Sequence, residues 1–329
     1  MPKFTSKKLI SLCKQKRVLL LCHDNADLDS FASAAMMQRY LKKNKIKSNI
    51  GVPCHINEQA LHFALEEKIS FNIHPNLEEY DLVLLFDLNG FEQMGHLRER
   101  FVQLIRNKSL KAIVFDHHVP EKESICAGAN SVIDENAAST TEILYNFLDM
   151  HSDARISFWN CIGIIEDTGH FLVGDEKTFS SFANSLKYSK KTYAQVLSFA
   201  RHKVPDDERV AFLKAAQRAN IQKIGEVILL TSELSFYQSA AATKLLDFGA
   251  HIALVAGQEK NGLTTLSARA ETEFKEKYRF NLVKDLLIPL QKRFGGEIGG
   301  HSGAAQWKGK MQTAVVLQTS ASILKKRLS

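Results

Sequence analysis

Three of the four short apolar runs in the first half of the chain are followed directly by Asp or His residues. Between the runs lie stretches with the 3.6-residue spacing of amphipathic helices. Strands that alternate with helices in this way predict an α/β fold whose N-terminal sheet is mainly parallel, with helices on both faces. The four predicted strands cover Arg17–Cys22, Ser48–Val52, Asp81–Phe86 and Lys111–Phe115.

The second half of the chain has a different pattern. Residues 186–220 lack strand patterns and predict a helical connector, which separates a first domain, 1–185, from a second, 221–329. A chain of 329 residues is long enough for two such domains. The second domain is predicted to be a smaller α/β domain, with strands at 226–230, 251–256, 262–270 and 311–318 and helices at 238–248 and 281–290.

Charge is divided unevenly between the two halves. Residues 1–185 hold 20 Lys and Arg against 24 Asp and Glu, whereas residues 186–329 hold 23 against 12. A basic region attracts phosphate-rich partners, and clustered acids can hold cations. Ordinary solvated surfaces would also give such counts, so charge alone does not assign a function.

The positions of the acids and histidines are more specific than the charge. In a parallel sheet the carboxyl ends of the strands meet at one edge, where ligands bind. Each residue alone is explained equally well as a helix cap or a turn residue. Together, however, the carboxylates would repel one another at that edge unless cations were bound. The set comprises His23, Asp27 and Asp29 after the first strand, Asp87 after the third, Asp116, His117 and His118 after the fourth, and Asp167 at the end of a helix predicted over 154–165.

Carboxylates combined with imidazoles suit Mn²⁺, Zn²⁺ or Fe²⁺ better than Ca²⁺ or Mg²⁺ alone. A carboxylate shared between two such ions is typical of two-metal hydrolytic sites, which activate water and stabilise the oxygens in phosphoryl transfer. The residues therefore predict a hydrolytic metal centre.

These motifs, in this order, resemble those of the DHH phosphoesterase family. Asp116-His117-His118 matches the signature that names the family, and Gly163-Ile-Ile-Glu-Asp167-Thr-Gly resembles its fourth motif. The segment Gly299-Gly300-His301-Ser302-Gly303 resembles the glycine-histidine motif of the DHH-associated substrate domain, and Ser267-Ala268-Arg269 resembles the Ser-x-Arg before it. Within the family the chain is most similar to the nanoRNase/pAp-phosphatase branch, because its first motif is His23-x-x-x-Asp27-x-Asp29.

The resemblance implies two divalent metal ions, with Mn²⁺ favoured and Mg²⁺, Co²⁺ and Zn²⁺ left open. It implies that His23, Asp27 and Asp87 bind one ion, and that Asp29, Asp87, His117 and Asp167 bind the other. Asp116 would orient a ligand histidine, and His118 would contact the scissile phosphate. In the second domain Arg269 would hold a substrate phosphate, and Gly299, Gly300 and His301 would let the terminal nucleotide approach the backbone.

The function implied is metal-dependent hydrolysis of short RNA oligonucleotides and 3′-phosphoadenosine 5′-phosphate (pAp) in a cleft between the domains. Three alternatives stay open: a cyclic or linear dinucleotide phosphodiesterase, a RecJ-like single-strand exonuclease, and a non-catalytic nucleic-acid-binding protein. The expected partner is single-stranded RNA or a nucleotide, with no membrane, and the family suggests a homodimer. A cytoplasmic location is expected, because the start of the chain lacks a signal-peptide pattern and its five cysteines form no CxxC pair.

Overall fold

The computed structural model describes residues 4–120, 125, 130–201, 204–259 and 261–328. The chain divides into two compact units, Met1–His202 and Lys203–Ser329. In the described part of the chain no helix combines the length and the apolar character that crossing a membrane requires. Cys13, Cys22, Cys54 and Cys161 are free thiols, and Cys126 lies outside the described residues.

The first unit is built on a six-stranded sheet in which every neighbouring pair is parallel. Its strand order is β5-β3-β1-β6-β7-β8, and a separate two-stranded ribbon pairs β2 with β4. The strands are β1 Val18–Leu21, β2 Asn25–Ala26, β3 Ser48–Val52, β4 His55–Ile56, β5 Phe71–Ile73, β6 Leu82–Phe86, β7 Lys111–Asp116 and β8 Val132–Ile133. The mainly parallel sheet predicted from the sequence is confirmed.

Helices cover both faces of this sheet, as predicted. Successive strand residues point to opposite faces, so Leu20 packs into one core while Leu19 and Leu21 pack into another. The helices of the unit are α1 Ser6–Cys13, α2 Leu28–Lys43, α3 Glu58–Glu66, α4 Arg98–Arg106, α5 Thr140–Leu148, α6 Ala154–Asp167, α7 Glu176–Ser189 and α8 Tyr193–Ala200, with 3₁₀ turns at Leu77–Glu79 and Phe91–Leu97. Helices α2, α5 and α6 supply the larger core, and α4 supplies the smaller one.

The second unit has a six-stranded sheet of order β13-β14-β12-β11-β10-β9, in which β10 and β11 are parallel and the other pairs antiparallel. Its strands are β9 Asn220–Ile224, β10 Val227–Glu233, β11 Ile252–Gln258, β12 Thr264–Ala270, β13 Glu297–Gly300 and β14 Ala304–Gly309. Its helices are α9 Asp206–Gln217, α10 Gln238–Asp247, α11 Thr272–Tyr278, α12 Ile288–Phe294 and α13 Thr313–Leu328, with a π-helical turn at Val283–Leu287. The predicted C-terminal α/β domain is confirmed.

One strand prediction in this unit is wrong. The run 311–318, predicted as a strand, forms the start of α13, and the strand before it is β14. The β-branched residues of the run mimic a strand, but the buried positions follow helical spacing. Val316, Ser320 and Leu324 are fully buried at intervals of four residues.

The segment 186–220, predicted as a connector, is shared between the two units. Val196 and Ala200 of α8 are buried in the larger core of the first unit. Ala211 and Ala215 of α9 are buried against β10 and β11 of the second unit.

Candidate metal centre

The start of α2 lies beside the ends of β1 and β6. Asp27 caps this helix, because its carboxylate accepts a 3.0 Å hydrogen bond from the amide of Ser30. The Ser30 hydroxyl in turn donates a 2.9 Å hydrogen bond to the carbonyl of Phe86, the last residue of β6. These two bonds fix the first turn of α2 at the carboxyl edge of the sheet.

Asp29, in that first turn, is fully buried and held by the start of α5. Its two carboxylate oxygens accept backbone hydrogen bonds of 2.7 Å from Thr140 and 3.0 Å from Thr141. Gly163 of α6 faces the same point: a Cβ there would lie 2.3 Å from an oxygen of Asp29 and 2.1 Å from the Thr141 hydroxyl. A glycine at 163 is therefore needed for space.

Asp87 follows β6 in the left-handed backbone region, with φ of 54°, and is 4% exposed. Its amide donates a 3.0 Å hydrogen bond to the Phe115 carbonyl, and its Oδ1 accepts one of 3.2 Å from the Thr140 hydroxyl. Aspartate tolerates this conformation better than most residues, yet such strain is concentrated at functional sites.

Asp116 is buried at the end of β7 and holds His118. One of its oxygens accepts a 2.9 Å hydrogen bond from the His118 amide and lies 3.0 Å from Nδ1 of the same residue. The sequence resemblance implied that Asp116 orients a ligand histidine, and the histidine that it contacts is His118. Nδ1 of His117, a predicted ligand, faces the backbone carbonyl of Ala137 at 3.3 Å, so a carbonyl orients that ring.

The predicted metal ligands converge at this edge. Nε2 of His23 lies 3.2 Å from a carboxylate oxygen of Asp27 and 3.8 Å from one of Asp87. Nε2 of His117 lies 3.5 Å from Asp87 and 3.3 Å from Asp167. The structure contains three sets of possible ligand atoms, and the atoms within each set lie within 4.8 Å of one another. The sets are His23, Asp27 and Asp87; Asp29, His117 and Asp167; and Asp87, His117 and His118.

The electrostatics of the cluster favour a bound cation. Burial, followed by the charge of Asp87, raises the pKa of Asp29 to about 6. Burial, followed by the charges of Asp29 and Asp87, raises the pKa of Asp167 well above its ordinary value. Nε2 of His117 and one oxygen of Asp167 are buried without a hydrogen-bond partner. Unpaired oxygen and nitrogen donors facing one another fit a divalent ion.

The histidines respond differently to the same acids. Burial alone would lower the pKa of His23, but its hydrogen bond to Asp27 and the charges of Asp27, Asp87 and Asp24 together outweigh burial and raise it. Contacts with Asp116 and then Asp87 raise the pKa of His118 to about 10, and its side chain is 57% exposed. His118 thus presents a proton donor from the edge of the cluster.

Sequence reasoning missed three residues that hold the cluster: Thr140, Thr141 and Glu166. The carboxylate of Glu166 accepts a 3.4 Å hydrogen bond from the Asp29 amide, and burial raises the pKa of Glu166 to about 8. The capping pattern Ser139-x-x-Glu142 marked the start of α5, whose exposed amides attract anions. It gave no indication of which anion would bind there.

The predicted substrate residues lie on or directly after β12 and β13, the two strands that flank β14 in the sheet of the second unit. Arg269 on β12 pairs in register with Ala304 on β14, which pairs in turn with β13. Its guanidinium donates to the Ser239 hydroxyl and to the Ala268 carbonyl, and no described carboxylate pairs with it. Burial lowers the pKa of Arg269 from its ordinary value.

The two glycines of the glycine-histidine motif differ. A Cβ at Gly300, where φ is 119°, would lie 2.3 Å from the Ala304 carbonyl oxygen, whereas one at Gly299 would meet nothing within 4 Å. His301 follows them on the exposed turn. Lys275, which sequence reasoning missed, packs against this turn: a Cβ on Gly303 would lie 2.6 Å from its Nζ.

Comparison with known proteins gives a match to one family model and a relative by sequence. Residues 17–162 match the model of the DHH family, N-terminal domain. The protein MJ0988 of Methanocaldococcus jannaschii is 26% identical over 307 residues, which cover 90% of this chain and 88% of the relative.

The fold also occurs among solved structures. A crystal structure of an exopolyphosphatase-related protein from Bacteroides fragilis matches with a TM-score of 0.64 at 12% identity, over 99% of this chain and 98% of that chain. A structure of RecJ in complex with Mn²⁺ from Thermus thermophilus gives a TM-score of 0.43 at 14% identity, over 97% of this chain and 53% of that chain.

Proposed function

Residues 17–162 match the DHH family model, N-terminal domain, and on that premise we propose that the chain is a metal-dependent hydrolase of phosphate esters. Its proposed substrates are short RNA oligonucleotides and pAp. The observation that carries the proposal is the sharing of ligands within the cluster. The Asp87 carboxylate belongs to the set with His23 and Asp27, and it also lies 3.5 Å from Nε2 of His117 in the set with Asp29 and Asp167, as a carboxylate shared by two ions requires.

The proposed site holds two divalent ions, with Mn²⁺ favoured. His23, Asp27 and Asp87 would bind one ion, and Asp29, Asp87, His117 and Asp167 the other. Ions held there supply an activated water and neutralise charge on the phosphate. The bonds from Thr140 and Thr141 to Asp29 leave lone pairs on both carboxylate oxygens, so its place at the start of α5 is compatible with ligation.

His118 is proposed to contact the scissile phosphate. Its side chain is more than half exposed, while Asp116 fixes its backbone and its ring. A histidine oriented in this way can donate a hydrogen bond to a phosphate oxygen as negative charge develops there. Asp116 acts through His118 and is therefore a positioning residue.

The second unit is proposed to bind the rest of the substrate. Arg269 has no carboxylate partner among the described residues, and Lys275 lies beside the turn that carries Gly300 and His301. Two cations near a tight glycine turn suit a nucleotide phosphate. A homodimer and a cytoplasmic location are further parts of the proposal, carried over from the sequence.

The proposal is tested with 5′-labelled RNAs of graded length, from dinucleotides upward, and with pAp in parallel. Reactions contain Mn²⁺ or EDTA and either the wild-type protein, the Asp167→Asn variant or the Asp175→Asn variant. Asp175 is the matched control, because it is an exposed aspartate that caps α7 and asparagine preserves such a cap.

The expected result is rapid loss of the shortest RNAs and phosphate release from pAp, dependent on Mn²⁺, retained in Asp175→Asn and lost in Asp167→Asn. A preference for the longer RNAs would replace this proposal with a single-strand exonuclease. Hydrolysis that persisted in Asp167→Asn or in EDTA would show that the cluster is not the catalytic site.

A further inference from the structure

The first unit has a cavity, of about 710 Å³, at the amino ends of its strands. Its walls are the residues that lead into β3 and β5, the last turn of α2 and the first turns of α6. The metal cluster follows the carboxyl ends of the strands, so the cavity is at the opposite edge of the sheet. The 16 residues of α2 join the two places, a span of about 24 Å at 1.5 Å per residue.

The cavity is strongly basic. One acidic residue, Glu67, lines it beside six basic ones: Arg39, Lys42, Lys45, Lys47, Lys68 and Arg155. The two arginines have carboxylate neighbours, with Arg39 2.9 Å from Asp153 and Arg155 3.7 Å from Glu67. In the part of the chain that the structure describes, the four lysines have no ion-pair partner.

Helix ends account for part of this charge. Cations stabilise the negative end of a helix dipole, which explains Lys42 in the last turn of α2. Lys45 and Lys68 each follow a helix C-cap, Asn44 of α2 and Glu67 of α3, so the same explanation applies to them. Lys47, which directly precedes β3, lies beyond the helix ends. Two separate stretches of the chain, one from the end of α2 to β3 and the other between α3 and β5, therefore bring lysines to one cavity.

The wall also offers groups for hydrogen bonding. Ser48 lines the cavity, and its hydroxyl is buried without a hydrogen-bond partner. An unsatisfied buried hydroxyl is costly unless a ligand or a water pairs with it. Trp159 also lines the cavity, and its indole Nε1 donates a 3.2 Å hydrogen bond to Glu67.

We propose that this cavity binds a small anion that carries several phosphate groups. Its volume falls in the range of sites for nucleotide-sized ligands. Four lysines without partners match the charge of a triphosphate, and the Ser48 hydroxyl can donate to a phosphate oxygen. A nucleoside triphosphate and a short inorganic polyphosphate share this chemistry. The site is separate from the metal cluster and does not depend on the function proposed for that cluster.

The test is isothermal titration calorimetry with ATP and, separately, with tripolyphosphate, in EDTA so that binding is independent of metal. The Lys45→Glu/Lys47→Glu/Lys68→Glu variant reverses three charges in the cavity. The Lys7→Glu/Lys14→Glu/Lys177→Glu variant reverses three exposed lysines of the same unit outside it. Net charge is the same in the two variants, so only the location differs.

We expect the wild type to bind one equivalent, the cavity variant to bind at least about tenfold more weakly, and the control to stay within about twofold of wild type. Binding of both probes identifies the phosphate chain as the ligand, whereas binding of ATP alone shows that the nucleoside is recognised too.

If the cavity variant does not fold, Lys47→Ala/Lys68→Ala with Ser48→Ala serves instead, with about fivefold weaker binding expected. No saturable binding, or equal losses in the cavity and control variants, would overturn the proposal.

Discussion

The two edges of the N-terminal sheet are made by the same strands and the same helices, yet their chemistry is opposite. At the carboxyl edge, Asp27, Asp87 and Asp116 converge with histidines on a buried acidic cluster. At the amino edge, lysines line an open cavity. Helices α2 and α6 reach both edges, since Asp29 and Asp167 stand at one pair of ends and Arg39 and Arg155 at the other.

The difference follows from the common direction of the strands in a parallel sheet. Loops that leave the carboxyl ends of parallel strands meet on one side, so chemistry spread along the sequence is brought together there. The amino ends meet at the opposite edge and need no catalytic residues. Each variant described next alters one edge or one unit, and the measurements show whether the other edge or unit is affected.

The largest effect is expected from Asp87→Asn, at the acidic edge. Asparagine preserves the shape and tolerates the left-handed backbone, so the change removes mainly the charge shared by two ligand sets. We expect hydrolysis to fall by about three orders of magnitude and Mn²⁺ binding, measured calorimetrically, by about two.

Asp149→Asn is the matched control, because Asp149 is also an aspartate in the left-handed region but its side chain is 89% exposed. Normal Mn²⁺ affinity in Asp87→Asn would show that this carboxylate is not shared between ions. Triphosphate binding at the amino edge should be unchanged in both variants.

Gly163→Ala should damage the acidic edge through packing. Its added methyl would overlap the Thr141 hydroxyl and an oxygen of Asp29, and neither can move without breaking the bonds that fix the start of α5. We expect a loss of about 2–3 kcal/mol in the free energy of unfolding by urea, together with weaker metal binding. Gly225→Ala measures the cost of losing a glycine with φ of 59° where a Cβ has open space. A stable Gly163→Ala with normal metal affinity would show that the three helices can separate there at little cost.

At the basic edge, Asp153 should make stability depend on pH. Burial alone would raise its pKa, but hydrogen bonds from Arg39 and Lys43 lower it to about 2. A carboxyl group with a lowered folded-state pKa stabilises the protein at pH values above about 4, and this stabilisation is lost as the pH falls toward 2.

We therefore expect about 1–2 kcal/mol of the free energy of unfolding to disappear between pH 6 and pH 3, because the partners are partly exposed. Asp153→Asn keeps the cap on α6 and should flatten that part of the pH profile. Urea titrations at both pH values measure it, and an unchanged slope in the variant would locate the pH dependence elsewhere.

The smallest effect is expected from Arg269→Lys in the second unit. Lysine keeps the charge but loses the planar, bidentate geometry that suits a phosphate. We expect KM for the shortest RNA to rise about tenfold with little change in kcat, because the interaction holds substrate equally before and during the reaction. Arg279→Lys, at an exposed arginine of the same unit, is the control. A fall in kcat at constant KM would place Arg269 in the reaction itself.

Most of the acidic edge could be predicted from sequence because strand ends and ligand residues coincide along the chain. The sheet, its direction and the clustering of His23, Asp87 and His117 all follow from alternating apolar runs that end in acids. The pattern does not show which side chains of different segments contact one another. Nothing in the sequence shows that Asp116 contacts His118 rather than His117, or that Thr140 and Thr141 donate to Asp29.

The rest was hidden for two physical reasons. In 311–318, β-branched residues favour a strand locally, but packing of Val316, Ser320 and Leu324 favours a helix, and tertiary contacts outweigh propensity. The lysines of the amino edge form no motif, because a cavity places few demands on their spacing. Only the fold shows that Lys47 and Lys68, 21 positions apart, line the same space.

The position of Asp29 has a thermodynamic consequence. Its carboxylate is held by amides 111 and 112 positions farther along the chain, so the ligand set exists only while α2, α5 and α6 are docked. An unfolded chain cannot present those ligands together. The full binding free energy of any ion taken up there is therefore added to the stability of the folded unit, about 2.7 kcal/mol at an ion concentration one hundred times its dissociation constant. The melting temperature of the protein thus reports occupancy of the centre before any substrate is known.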